Sequence, residues 1–161
     1  MHARVFNFLE NNQSLNDLQF GFRSGRSCEH ALLVAQNTLL ESLSKKQISL
    51  LLLIDFSKAF DMVNHDILLH KLKHYGIRGI VNTWFRSYLS DRQQYVSIKG
   101  KVSSKRYLQY SVPQGSILGP LLFVIYINDM PNIYKNAKFI LYADDANIII
   151  TGDSVDEIRH K

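Results

Sequence analysis

The spacing of apolar residues changes several times along the chain, and each change predicts an element. In Met1–Glu10, Val5, Phe6 and Leu9 share one side of a short amphipathic helix, and Asn11–Asp17 is polar and loop-like. Ser27 is placed to cap a helix running to about Ser44, with Cys28, Ala31, Leu32, Ala35, Leu39 and Leu43 on one stripe. Ile48–Ile54 is a short, continuous apolar run, the pattern of a buried strand. Asn64 can cap a helix bearing Leu68, Leu69, Leu72 and Tyr75, which Gly76 ends. Ile80, Val81, Trp84, Phe85, Tyr88 and Leu89 repeat at helical spacing and predict a further helix whose aromatic stripe packs in a core.

Alternation of period two follows. Gln94–Ile98 and Arg106–Val112 read as strands of a hairpin around Lys99-Gly100. Ser116 then opens an apolar helix through about Asp129, with Pro120 tolerated in its first turn. Phe139–Tyr142 and Ile148–Ile150 are strands on either side of Ala143-Asp144-Asp145. Ser154–Lys161 has the pattern of the first turns of a helix, and a fragment of a larger protein is expected. No repeat, low-complexity run or Pro/Gly/Ser linker interrupts this order, so residues 1–161 are expected to form a single domain. Hairpins interspersed with helices make it α+β.

Composition narrows the partners. With 46% hydrophobic and 20% charged residues, the 161-residue chain is an ordinary globular one. Its net charge of +5 suits a polyanion such as nucleic acid without requiring one. Cys28 is the only cysteine, which excludes an intramolecular disulfide and a cysteine-based zinc cage, and favours a reducing, intracellular setting. No apolar stretch approaches the roughly 18 residues that span a bilayer, so no membrane partner is expected. His65, His70 and His74 share one predicted helix, but no cysteine or carboxylate cluster supports zinc there.

The candidate chemistry lies in two acidic clusters at strand ends. One strand ends in Asp55, with Phe60 and Asp61 just beyond, and another ends in Ala143-Asp144-Asp145. Acidic residues at strand ends are ordinarily solvated turn residues. Two carboxylate-tipped strands side by side, however, can hold a pair of Mg²⁺ ions for phosphoryl transfer.

The surrounding blocks decide between these readings. Leu52–Asp61 with Val63, His65 and Leu68–Leu72, then Ser111–Pro120, then Tyr142–Asp145, together with Gln19–Arg23 and Gly25–Ser27 upstream, resemble the reverse transcriptase domain of non-LTR (LINE-type) retrotransposons. The resemblance spans nearly the whole chain. It implies a polymerase palm-type antiparallel sheet packed on helices, with part of the fingers and no thumb. Residues 1–47 would be the fingers–palm lead-in and 48–161 the palm core. It also implies Asp55, Asp144 and Asp145 as catalytic carboxylates, with Asp55, Asp144 and the Phe56 carbonyl on two Mg²⁺ ions (Mn²⁺ as the alternative) and Asp145 auxiliary. Phe60 would lie beneath the incoming sugar and select deoxynucleotides, and Pro113, Gln114 and Gly115 would contact nucleotide and template. Arg23, Arg26 and Lys58 are candidates for phosphate contact, and Asp61 for capping the turn into the next helix.

The implied partners are an RNA template, a DNA primer and deoxynucleoside triphosphates, with the oligomeric state open. The family usually carries Gly, Thr and Thr where this chain has Ser111, Cys28 and Ala146. Its Arg-containing fingers motif, later palm motifs and thumb would lie outside residues 1–161, so efficient polymerisation by these residues alone is not expected. Two functions remain: an RNA-templated DNA polymerase domain, or a truncated, inactive retrotransposon copy that at most binds nucleic acid. An intron-encoded maturase is disfavoured by Ala59-Phe60-Asp61 with His65.

Overall fold

Strands from distant parts of the chain pair to build the main sheet. In the computed structural model, which describes Met1–His160, the elements run α1 (His2–Asn11), α2 (Cys28–Ser44), β1 (Ile48–Asp55), a 3₁₀ turn (Ala59–Met62), α3 (His65–His74) and α4 (Gly79–Leu89). There follow β2 (Gln93–Gln94), β3 (Ser97–Ile98), β4 (Lys101–Val102), β5 (Arg106–Tyr107), α5 (Gly119–Ile127), a second 3₁₀ turn (Met130–Ile133), β6 (Ala137–Tyr142), β7 (Asp145–Gly152) and α6 (Val155–Arg159). The final helix expected to reach Lys161 is seen as far as Arg159; Lys161 itself lies outside the described residues. No described helix is long and apolar enough to cross a membrane. Helices and antiparallel sheet make the fold α+β. The chain divides into two compact units, each made of discontinuous segments.

One unit comprises Gln13–Ser57 and the described residues from Ile127 onward. Its sheet has the order β1-β7-β6, antiparallel throughout, with Leu50 opposite Ile150, Ile54 opposite Ala146, and Phe139 opposite Ile148. β6 is buried on both faces, as its continuous apolar run requires. Ile140 joins Phe20, Ala31 and Ile149, backed by Leu18, Val34, Ala35 and Leu39, whereas Phe139 and Leu141 join Ala146, backed by Ile54, Phe56 and Met130. Ser27 caps α2, its hydroxyl accepting from the His30 amide at 3.3 Å.

β1 differs from its expectation as a buried strand. Leu51 is 41% and Leu53 74% exposed, so the packing over this strand, which lies at the sheet edge beside β7, leaves apolar side chains uncovered. The α2 stripe is correspondingly open, with Leu32 64% and Leu43 71% exposed. An apolar run specifies a strand, but not how many of its faces are covered.

The other unit comprises Met1–Asn12 and Lys58–Tyr126. Val5, Leu9, Leu68, Leu72, Phe85 and Leu122 are buried in its core. The Asn64 side chain accepts from the Ile67 amide at 3.0 Å and caps α3 as expected, whereas Asp61 lies inside the 3₁₀ turn and makes no cap bond to it. On α4, Phe85 and Leu89 are buried as expected, but Ile80 is exposed and Trp84 stacks on Tyr88 at the surface. α5 begins at Gly119 rather than Ser116, because the Ser116 hydroxyl accepts from the Gly119 amide at 3.0 Å while donating to the Pro113 carbonyl at 2.8 Å.

The expected hairpin forms, with Lys99 at φ 48° and Gly100 at φ 80° between the paired Ile98 and Lys101. Positive φ at both central residues is the turn whose twist matches paired strands. Its ladders are shorter than the alternation predicts. The amides of Ser111 and Val112 leave the hairpin to bond the carbonyls of Val63 and Phe60, each at 2.9 Å.

Ser111 adopts φ 100°, a region that side chains with a Cβ rarely occupy. Its amide bond to Val63 and the 2.7 Å contact between its carbonyl and His65 Nε2 hold it there. Ser111→Gly is therefore expected to stabilise the chain by about 1 kcal/mol, net of the entropy glycine adds to the unfolded state. Thermal denaturation should show a rise of roughly 2–4 °C, and an unchanged or lower midpoint would remove the claim of strain.

Candidate active site

The β6–β7 connection is a two-residue turn. Tyr142 pairs with Asp145, leaving Ala143 and Asp144 at the tip. Ala143 has φ 55° and Asp144 does not share the positive sign, which is the type II′ pattern that normally asks for glycine first. An alanine there costs on the order of 1 kcal/mol, so the surrounding packing must hold it. Asp144 is thereby held at the tip of the hairpin, half-buried.

The β1–β7 register brings the other acidic cluster alongside. Asp55 is the Cα partner of Asp145, and the Phe56 amide donates to the Asp144 carbonyl at 3.4 Å. Cross-strand partners project to the same face, where like charges directly opposite one another destabilise a sheet. Asp55 and Asp145 are both exposed, and among the described residues neither they nor Asp144 has a side-chain hydrogen bond or ion pair. Also among the described residues, no three His, Cys, Asp or Glu side chains converge as a ready-made metal cage. Unpaired carboxylates with neighbouring carbonyls form an all-oxygen donor set. That set fits Mg²⁺, which is usually held by one or two carboxylates and completed by water and substrate phosphates.

The same unit contains Arg23 and Arg26, and their placement differs from the phosphate-contacting role expected of them. Arg23 is 7% exposed, and its Nη1 donates to the carbonyls of Asn16 at 2.6 Å and Gln19 at 3.4 Å. Arg26 donates to the Asp17 carbonyl, lies 3.1 Å from the Asp17 carboxylate and covers the Phe20 ring. The planar guanidinium fork suits internal carbonyls as well as phosphates.

The other unit holds Lys58, Phe60, Pro113, Gln114 and Gly115. Phe60 stacks on Phe123 with centroids 4.6 Å apart. Gln114 donates to the Asp61 carboxylate at 3.4 Å, and Gly115 has φ 78°. Lys58 is exposed at the start of the 3₁₀ turn, with φ 53°. Sequence reasoning predicted the hairpin of the same unit but did not single out its basic residues. Arg92, Lys99, Lys101, Lys105 and Arg106 lie in a stretch with no acidic residue between Asp91 and Asp129, and Tyr95 and Tyr107 are exposed among them. The signal was legible as a local charge imbalance.

A second oversight concerns the turn itself. Leu18–Gly21 lies along the outer edge of β6: Phe20 donates to the Leu141 carbonyl and the Leu141 amide to the Leu18 carbonyl, both at 2.8 Å. Gly21 then passes so close to the turn that a Cβ on it would lie 2.1 Å from the Ala143 nitrogen.

This chain belongs to the family described as Reverse transcriptase (RNA-dependent DNA polymerase), whose sequence pattern matches residues 1–161. Several of its relatives are named for transposons or mobile elements. It is 32% identical over 167 aligned positions to the probable RNA-directed DNA polymerase from transposon BS of Drosophila melanogaster, covering 96% of this chain and 18% of that protein. It is 30% identical over 150 positions to the RNA-directed DNA polymerase from mobile element jockey of the same species, covering 89% of this chain and 16% of the relative. The probable RNA-directed DNA polymerase from transposon X-element, also of D. melanogaster, is 30% identical over 153 positions, again covering 89% and 16%. These relatives agree with a partial non-LTR reverse transcriptase domain. The chain spans less than a fifth of the length of each.

The approach of Gly21 to the turn makes a direct prediction. Gly21→Ala forces a Cβ into backbone rather than into a flexible side chain. It should cost about 3 kcal/mol, the upper range for overpacking a filled site. Chemical denaturation reads this as a lower midpoint at unchanged slope, and a loss under about 0.5 kcal/mol would mean that the turn moves freely.

Proposed function

We propose that this chain is the palm-centred part of an RNA-templated DNA polymerase that transfers deoxynucleotidyl groups to a primer 3′-hydroxyl. The reading is carried by one observation, the unpaired Asp55 and Asp145 opposite each other in the ladder with Asp144 at the adjoining turn tip. Asp55, Asp144 and the Phe56 carbonyl would hold two Mg²⁺ ions, or Mn²⁺ in their place, with Asp145 auxiliary. When bound, these ions supply charge neutralisation at the triphosphate and a lowered pKa at the primer hydroxyl.

The remaining residues act on substrate. The Phe60 ring, braced by Phe123, blocks the space a 2′-hydroxyl would need. Gln114 presents an amide to a base or sugar edge, oriented by Asp61, and Gly115 lets backbone approach the nucleotide. The basic hairpin around Lys99 and Lys101, with Tyr95 and Tyr107, supports contact with RNA template or DNA primer through phosphates and stacking. Residues 1–161 work as one domain, 1–47 leading in and 48–161 forming the palm core. The interleaving of both units along the chain supports this, since neither is continuous in sequence.

Primer extension on an RNA template, with the reading frame extended on both sides to the length of its relatives, tests the reading. Asp144→Asn and Asp55→Asn each remove a charge without changing shape, and should abolish extension while leaving the melting temperature near wild type. Activity within about tenfold of wild type for Asp144→Asn would refute its role, because a lost principal ligand costs far more. No extension by the extended wild type would favour the inactive copy. Phe60→Val should raise ribonucleotide incorporation relative to deoxynucleotides, and an unchanged ratio would return Phe60 to simple packing.

A further inference from the structure

Gln19 is fully buried although it is polar, and its side chain reaches across to the acidic turn. Its Oε1 accepts from the Gly21 amide at 2.8 Å and from the Ala143 amide at 3.3 Å. Both neighbours are N–H donors, so the oxygen of the side-chain amide must be the atom that faces them. The Nε2 atom has no partner among the described residues. A buried, unpaired donor costs on the order of 1–3 kcal/mol, so an apolar side chain would be the more stable choice if Gln19 only filled space.

The Ala143 amide is the group that needs such a partner. In a two-residue hairpin the ladder bonds close between Tyr142 and Asp145, and the amide of the first turn residue is left over. Ala143 is buried and strained at φ 55°, so an amide without a partner there would favour another turn conformation. Gln19 supplies that partner and is itself held in place. Its own amide donates to the Asn16 carbonyl at 3.1 Å, and Arg23 spans the Asn16 and Gln19 carbonyls. The Asn16 amide in turn donates to the Asn128 side chain at 2.7 Å.

We infer that Gln19 is a positioning residue for the acidic turn: its side-chain oxygen anchors the Ala143 amide and so fixes where Asp144 stands. The inference rests on the polymerase reading for what Asp144 does, but the anchor itself is a statement about this chain. It also gives the buried Arg23 a task, bracing the segment that carries the anchor.

Amide hydrogen exchange and Mg²⁺ titration, both followed by NMR on the ¹⁵N-labelled chain, test it. In the wild type the Ala143 amide should exchange about a hundredfold more slowly than an unstructured one, and solvent-like exchange would overturn the inference. Gln19→Met keeps length and bulk but removes the acceptor. It should speed Ala143 exchange about tenfold beyond any change at the core amides of Ile140 and Ile149. It should also raise the Mg²⁺ concentration that half-saturates the Asp144 amide shift by about tenfold, the usual loss when a residue supporting a ligand is removed. Gln19→Glu retains an acceptor oxygen and should restore Ala143 protection.

Unchanged exchange and titration in a folded Gln19→Met would overturn the anchor. If that variant fails to fold, the wild-type Ala143 rate and the Gln19→Glu rescue still decide. Asp144→Asn separates the two claims. A Mg²⁺ response at Asp55 and Phe56 that survives it refutes the metal-site reading whatever Gln19 does. A response lost in Asp144→Asn but untouched in Gln19→Met refutes the anchor alone.

Discussion

The β1–β7 ladder is the constraint on which the acidic site depends. Eight consecutive pairs run from Ile48 opposite Gly152 to Asp55 opposite Asp145. Backbone hydrogen bonds along this length offset the repulsion of two carboxylates facing each other at its end. The register cannot drift, because a slip of one residue would exchange the faces of Ile149 and Ile150 and expose the buried one. The apolar face of β7 thus sets the position of the charged residues at its start. The strength of the sheet and the strain of its tip are two sides of one arrangement.

β6 and the segment beside it complete this arrangement. β6 is buried on both faces, so the turn that follows it is fixed at its root. On its free edge, the Leu18–Gly21 segment adds hydrogen bonds and brings a glycine against the turn backbone. The strained alanine at the tip is held by β6 at its root and by the Leu18–Gly21 segment beside it. β1, by contrast, is supported by its ladder and leaves Leu51 and Leu53 exposed. The carboxylate it carries is held by backbone bonding more than by side-chain packing.

Much of the fold was legible in local chemistry. Ser27, Asn64 and Ser154 each cap a helix through a side-chain oxygen, and the Lys99-Gly100 turn follows from residues that accept positive φ. Apolar runs located the sheet strands, and the acidic clusters were recognisable from the blocks around them. What local pattern could not supply was coverage and long-range side-chain contact. Periodicity marked Ile48–Ile54 as a strand but carried no information on whether anything covers Leu53. Arg23 reads as a surface cation until the Asn16 and Gln19 carbonyls are seen around it. The contact between Gln19 and Ala143 joins residues far apart in sequence, so only the folded chain reveals it.

The central claim is that the strand ends and turn form one divalent-cation site. Paramagnetic Mn²⁺ added to the ¹⁵N-labelled chain tests it most directly, because line broadening falls off steeply with distance from the bound ion. The account predicts selective broadening at the amides of Asp55, Phe56, Asp144 and Asp145, reversed by excess Mg²⁺. Broadening centred on other carboxylates such as Asp153 and Glu157, or spread evenly over the surface, would contradict it.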